Sequence, residues 1–289
     1  MIAVRYYNQL ARLFSGPVAS ELGSRQRCRF IDYIIQQSGY ARMIVKGTTL
    51  GQMFDDIYWR LWQHYRCEYI YKNALARKIL LGRHSLNTST LLTEFRTNTS
   101  KADLVIVNGT SSVYEIKTEL DSLDRLNSQI ASYLRVFDKI YVVTHESQIV
   151  KVEREISPEI GLFLLTNRYS LKKIREATSN ALNVDPSSIF SCLRQNEYCQ
   201  IVRSEFGYVP DVPNTLIYTE CKKLFSTLSP ETAHRQMVEV LRNRSHSSFL
   251  QSFIKAVPNS LKLLCLAQKF TSLQRNSFLS ALQVEYKLN

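Results

Sequence analysis

No two cysteines of the 289-residue chain stand in a C-x-x-C pair. Cys28, Cys67, Cys192, Cys199, Cys221 and Cys265 are scattered, and only 5 histidines accompany them. That scatter argues against a structural zinc site, whose ligands come at short fixed spacings. A chain of this size does not need disulfides, so buried or idle thiols in a reducing cytoplasm are expected. No run approaches 18 apolar residues, and the opening MIAVRYYNQLARLF lacks the apolar segment of a secretory leader, so neither membrane insertion nor export is expected. Internal repeats and low-complexity tracts are absent too. Acidic side chains are the scarcer charge: 25 Asp and Glu face 37 Lys and Arg, a formal charge of +12. A basic balance of this size points toward a polyanionic partner.

What is present is a chain able to fold. Hydrophobic residues make up 45%, with 13 Phe, 16 Tyr and 2 Trp, which argues for packed cores. Residues 1–60 hold 8 basic and 4 acidic side chains, residues 61–170 hold 14 and 12, and residues 171–289 hold 15 and 9. The middle is rich in carboxylates and the flanks carry the excess.

Texture divides the chain in the same places. Up to residue 66, YYNQLARLF, FIDYIIQQ and TLGQMFDDIYWRLWQHYR have apolar groups at helical spacing, and EYIYKNALARKILLG (68–82) reads as a further helix. From Leu91 the period changes. LLTEFRT and ADLVIVN are strand-like, and SVYEIKTEL follows an Asn108-Gly109 turn signal. A helix with Leu123, Leu126, Ile130, Tyr133, Leu134 and Phe137 on one stripe comes next, with Asp121 or Ser122 as its N-cap. KIYVVT and GLFLLT are further strands. The order α-β-β-β-α-β-α-β predicts an α/β fold with parallel crossovers on a mixed sheet. Beyond about residue 168 only helices are expected, SLKKIREATSNAL among them.

Charged groups inside the strand hairpin carry the chemistry. If residues 108–112 form the loop, Asp103 lies opposite Lys117 and diagonal to Glu115, roughly 7–8 Å away, with all three on one face. Two converging carboxylates repel unless a cation lies between them, and Mg²⁺ accepts one or two carboxylates while filling its other positions with water and phosphate oxygens. Asp103 and Glu115 are therefore expected to hold Mg²⁺, with Mn²⁺ as a substitute, and Lys117 to orient the attacking water or balance developing charge. The competing interpretation is a solvated strand face on which Glu and Lys merely alternate.

With Asp103, then Glu115-Ile116-Lys117, then Gln129 and Tyr133 in a Q-x-x-x-Y helix, residues 60–170 resemble the PD-(D/E)xK, restriction-endonuclease-like nuclease superfamily. The likeness is to its RecB-like and Cas4-like branches, and more closely to an uncharacterised bacterial and phage subfamily. Ala102 stands where the eponymous proline would be. The resemblance implies a restriction-endonuclease-like core of α-β-β-β-α-β order at 60–170, between an N-terminal helical region (1–59) and a basic helical C-terminal region (171–289). It implies a third acidic ligand, Glu68 or, alternatively, Glu94. Gln129 and Tyr133 would steady the site or touch the nucleic-acid backbone. The implied activity is Mg²⁺-dependent phosphodiester hydrolysis, in DNA rather than RNA, in genome defence or DNA processing. No organic cofactor is implied, and a homo-oligomer or a partner protein stays open. A nucleic-acid-binding or protein-interaction module that keeps the fold without cleaving is the alternative. The basic stretches GSRQRCRF (23–30) and LRNRSHSSF (241–249) are candidate phosphate contacts.

Overall fold

Thr49 and Gln52 decide where the first long helix begins. The Gln52 N–H donates to Thr49 Oγ1 (3.2 Å) and the Thr49 N–H to Gln52 Oε1 (2.9 Å), so two donors that a helix start leaves open are satisfied reciprocally. The helix Leu50–His64 follows, burying Met53, Phe54, Ile57, Tyr58 and Leu61 on one side.

The computed structural model describes residues 6–83, 88–244 and 250–287. The chain forms two units, Met1–Arg83 with Ser247–Asn289, and His84–His246. The described part of the first unit is helical. Its two chain segments are fastened by polar groups far apart in sequence. Asn73, fully buried, donates from Nδ2 to the Asn259 carbonyl (3.0 Å) and accepts the Leu263 N–H at Oδ1 (3.0 Å). The Leu50 N–H donates to the Val284 carbonyl (2.9 Å) and the Tyr286 N–H to that of Thr48 (2.8 Å). The expected divisions after residues 59 and 170 do not coincide with these units. Shifts in local composition cannot reveal links between residues nearly two hundred positions apart.

The second unit is built on a six-stranded mixed sheet: β1 (Thr90–Arg96), β2 (Lys101–Asn108), β3 (Thr110–Lys117), β4 (Lys139–His145), β5 (Gly161–Leu165) and β6 (Leu171–Arg175), adjacent in that order. The pairs β1/β2, β2/β3 and β5/β6 are antiparallel, while β3/β4 and β4/β5 are parallel. Parallel neighbours need crossovers, and the helices Leu126–Leu134 and Ile149–Glu155 supply them. The α/β class is as expected. Helices Pro186–Ser191, Gln195–Phe206, Asn214–Phe225 and Pro230–Arg242 belong to this same unit. Their Phe190, Ile201, Phe225, Met237 and Leu241 share one core with Val105, Val113, Tyr133 and Val142. Among the described residues, no helix is long and apolar enough to cross a membrane.

Three local expectations are corrected. LKKIR (171–175) is not helical but forms β6, the last strand of the sheet. Leu171 and Ile174 lie three apart, as on a helix, yet the lysines between them suit a sheet edge that must discourage further pairing. The helix after β3 starts at Leu126 with Arg125 as N-cap. Asp121 instead accepts the Thr118 N–H (2.8 Å) and hydroxyl (2.7 Å). The hairpin is also tighter than supposed: Asn108 pairs with Thr110 across Gly109, whose φ of 69° lies in the left-handed region. Leu104 therefore faces Tyr114, two positions from the expected register.

Candidate active site

A shift of two preserves the face, because side chains alternate with a period of two. One step beyond the Leu104–Tyr114 pair, Asp103 comes opposite Glu115, not Lys117. There the β2–β3 ladder stops and a side chain takes over: Asp103 Oδ2 accepts the Ile116 N–H at 2.8 Å. Glu115 and Lys117 continue on β4, opposite Val142 and Thr144.

Glu115 and Lys117 are buried, 2% and 5% exposed, so each must be compensated. Lys117 Nζ lies 3.0 Å from Glu115 Oε1 and donates to Gln129 Oε1 at 2.8 Å, while Gln129 Nε2 donates to Glu115 Oε1 at 2.5 Å. Carboxylate, ammonium and amide thus close a ring. Tyr133 donates to Glu115 Oε2 at 2.7 Å, and its oxygen lies 3.1 Å from the Lys101 carbonyl. Burial, then the charge of Glu115 and its hydrogen bond, with a smaller push from Asp103, hold the Tyr133 hydroxyl far above the usual phenol range. It is a neutral donor. Gln129 and Tyr133 reach one carboxylate because they are one helical turn apart, and the Q-x-x-x-Y element of the resemblance is the sequence signal that points to them.

Glu94 stands in the middle of β1 with φ at +54°, between the pairs Thr93–Leu104 and Phe95–Ala102, in the one place where the β1–β2 pairing lapses. A left-handed glutamate in a strand is strained and concentrates at functional sites. Carboxylate oxygens of Glu94 and Asp103 lie within 4.8 Å of each other, and Glu94 forms an ion pair with Lys101. Nothing in the sequence singled out Lys101. Glu68 opens the helix Glu68–Leu75 of the helical unit, where its carboxylate pairs with Lys72 one turn on.

The Bacteriophage P4 protein cII family matches residues 62–265, well over half of the chain. The chain belongs to that family. Protein cII of Enterobacteria phage P4 is 27% identical over 158 residues, 53% of this chain and 52% of that protein. The chain therefore spans about half the length of the curated relative it matches. A solved protein of unknown function, SPO1766 from Silicibacter pomeroyi, aligns with a TM-score of 0.32 and 15% identity, over 42% of this chain and 76% of its own. The cII match contains Glu68, Glu94, Asp103, Glu115, Lys117, Gln129 and Tyr133 and runs on through the helices after the sheet.

The basic stretches of this cII-family chain differ. Arg244 is committed to Glu197, with Nε to Oε1 and Nη2 to Oε2 both at 2.6 Å, and lies over the Phe95 ring. A bidentate, nearly buried pair of this kind is structural. Residues 245–249 of the expected stretch lie outside the described residues. Arg25 and Arg27 are largely exposed and only loosely paired, 3.8 Å from Glu21 and Asp32.

Proposed function

We propose that the protein is a metal-dependent nuclease on a restriction-endonuclease-like core, acting on DNA. The observation that carries this reading is the Glu115–Lys117–Gln129–Tyr133 network, buried at the end of a central strand whose next backbone N–H is held by Asp103. Structural stability gives little reason to bury a carboxylate and an ammonium together, because their desolvation roughly cancels their attraction. A site that must present both in fixed positions gives a good one.

The donor set suits a hard cation. Glu94 and Asp103 offer carboxylate oxygens within 4.8 Å, little more than the ~4.2 Å spanned by opposite ligands of an octahedral Mg²⁺. In the proposal Asp103 and Glu115 hold the ion and Glu94 is the further carboxylate beside them. Glu68 enters as the third acidic ligand that the resemblance implies. A bound Mg²⁺ or Mn²⁺ would supply an acidified water and charge neutralisation at phosphorus. Lys117 orients the nucleophile, and Gln129 holds the carboxylate and the ammonium at fixed separation. Tyr133, kept protonated, locks the second oxygen of Glu115 without adding negative charge.

The test is incubation of the protein with linear, circular and single-stranded DNA, with Mg²⁺ or Mn²⁺ and with EDTA. Cleavage is expected only with metal. It is expected to vanish in Lys117→Gln, which retains a hydrogen-bond donor beside Glu115, while nucleic-acid binding and circular dichroism persist. Binding without cleavage on every form of DNA overturns the proposal. The alternative, a non-cleaving nucleic-acid-binding or protein-interaction module, draws on the same burial: a closed ring of Glu, Gln and Lys can also serve as a polar core that fixes one packing arrangement. A role in genome defence or DNA processing is proposed with the activity and falls with it.

A further inference from the structure

Lys117 is the last residue of β3, and its backbone is held as firmly as its ammonium. Thr144, its partner on β4 and fully buried, donates its hydroxyl to the Lys117 carbonyl at 2.9 Å. Gln148 Nε2 donates to the carbonyls of Thr118 (2.9 Å) and Asp121 (3.1 Å). Asp121 Oδ2 accepts the Thr118 N–H and hydroxyl. Side chains from β4, from the start of the next helix and from the loop itself thus converge on two consecutive residues where the chain leaves the sheet. A strand exit needs no such density of side-chain bonds, since loops ordinarily give their carbonyls to water.

We infer that Thr144 is a positioning residue for Lys117, with Gln148 and Asp121 completing the clamp. This rests on the nuclease reading above. The side chain of Lys117 has four rotatable bonds, and Glu115 and Gln129 fix only its far end. Thr144 fixes the near end. With both ends held, the ammonium has one place to be, and displacement of a catalytic group by about 1 Å can cost as much as a hundredfold in rate.

Thr144→Val keeps the shape and removes the donor, and Thr144→Ser returns it. In protein carrying ¹³C-lysine, the ε-carbon signal of Lys117, identified by its loss in Lys117→Arg, is expected to move in Thr144→Val and to return in Thr144→Ser. With DNA and Mg²⁺, kcat is expected to fall about ten- to a hundredfold in Thr144→Val, with KM unchanged and rescue by serine. Gln148→Met should give the same pattern more weakly, and it carries the test if the valine variant does not fold. An unmoved Lys117 signal, an unchanged kcat, or a rate loss no larger than the loss of folded protein overturns the inference. Absence of metal-dependent cleavage by the unaltered protein sinks the nuclease reading instead. The lysine signal then decides by itself whether Thr144 holds Lys117.

Discussion

Two glutamate–lysine pairs sit in the same sheet, one across β1 and β2 and the other along β3, and behave as different objects. In Glu115–Lys117 the side chains are 3% and 7% exposed; in Glu94–Lys101 they are 44% and 53% exposed. Water screens the outer pair, and its lysine gives up rotamer freedom to stay in place, so its net contribution is small. The inner pair is almost wholly withdrawn from solvent, so its polar atoms need partners from the protein. Gln129 and Tyr133 are the answer. Proximity of opposite charges is common to both pairs, and the difference lies in what surrounds them.

The largest expected effect tests that contrast. Lys117→Met leaves Glu115 charged and buried without its cation and should cost about 3–5 kcal/mol of folding stability. Urea unfolding measures this. The double variant Glu115→Gln/Lys117→Met removes the charge with its partner and should recover most of the loss. Lys101→Ala should cost no more than ~1 kcal/mol. Equal losses for Lys117→Met and Lys101→Ala would break the comparison.

How much of this could be read in the sequence follows from which interactions are local. The period-two alternation of β2 and β3 is local and puts Asp103, Glu115 and Lys117 on one face, whereas Gln129 and Tyr133 are marked by the Q-x-x-x-Y element of the resemblance, and their bonds to Glu115 and Lys117 come from the fold. The hairpin register is hidden in the sequence because Thr110, Ser111 and Ser112 look like loop residues, although Ser111 is buried, its hydroxyl 2.8 Å from His234 Nε2. An error of two residues spared the face and exchanged the partners. Asp103 thus met the Ile116 backbone and not Lys117. The left-handed φ of Glu94 left no trace in composition, since nothing local tells a strained glutamate from an ordinary one. The fastening of Asn73 to Asn259 and Leu263 is likewise invisible to any window along the chain.

His234 extends the contrast to a group that can change its charge. Burial lowers its pKa, with the carboxylate of Asp138 acting in the opposite direction. The folded state therefore favours neutral imidazole more than the unfolded chain does. The unfolded chain binds the extra proton first as pH falls, so stability is fully present above the unfolded value near 6.5 and declines as pH drops through the lower folded value. Urea midpoints between pH 7.5 and 5 should fall for the unaltered protein and fall less for His234→Gln, which can still hydrogen-bond to Ser111. The loss should be smaller than that in Lys117→Met, because the imidazole can give up its charge and an ion pair cannot. A midpoint that rises on acidification would show His234 to be stabilised as a cation, with Asp138 outweighing burial.

The smallest effect belongs to the outer pair and separates strain from charge. At φ of +54° Glu94 has a conformation that costs a side-chain-bearing residue about 1 kcal/mol relative to glycine. Glu94→Gly should therefore be more stable than Glu94→Ala by about that amount, although both lose the ion pair with Lys101. Raising salt to 1 M should shrink the difference between the unaltered protein and Glu94→Ala, but not that between Ala and Gly, because screening acts on charge and leaves backbone strain untouched. If glycine stabilises and metal-dependent cleavage is lost, the strain at Glu94 is maintained for the carboxylate that it aims. If alanine and glycine prove equal, the left-handed backbone costs nothing there and says nothing about function.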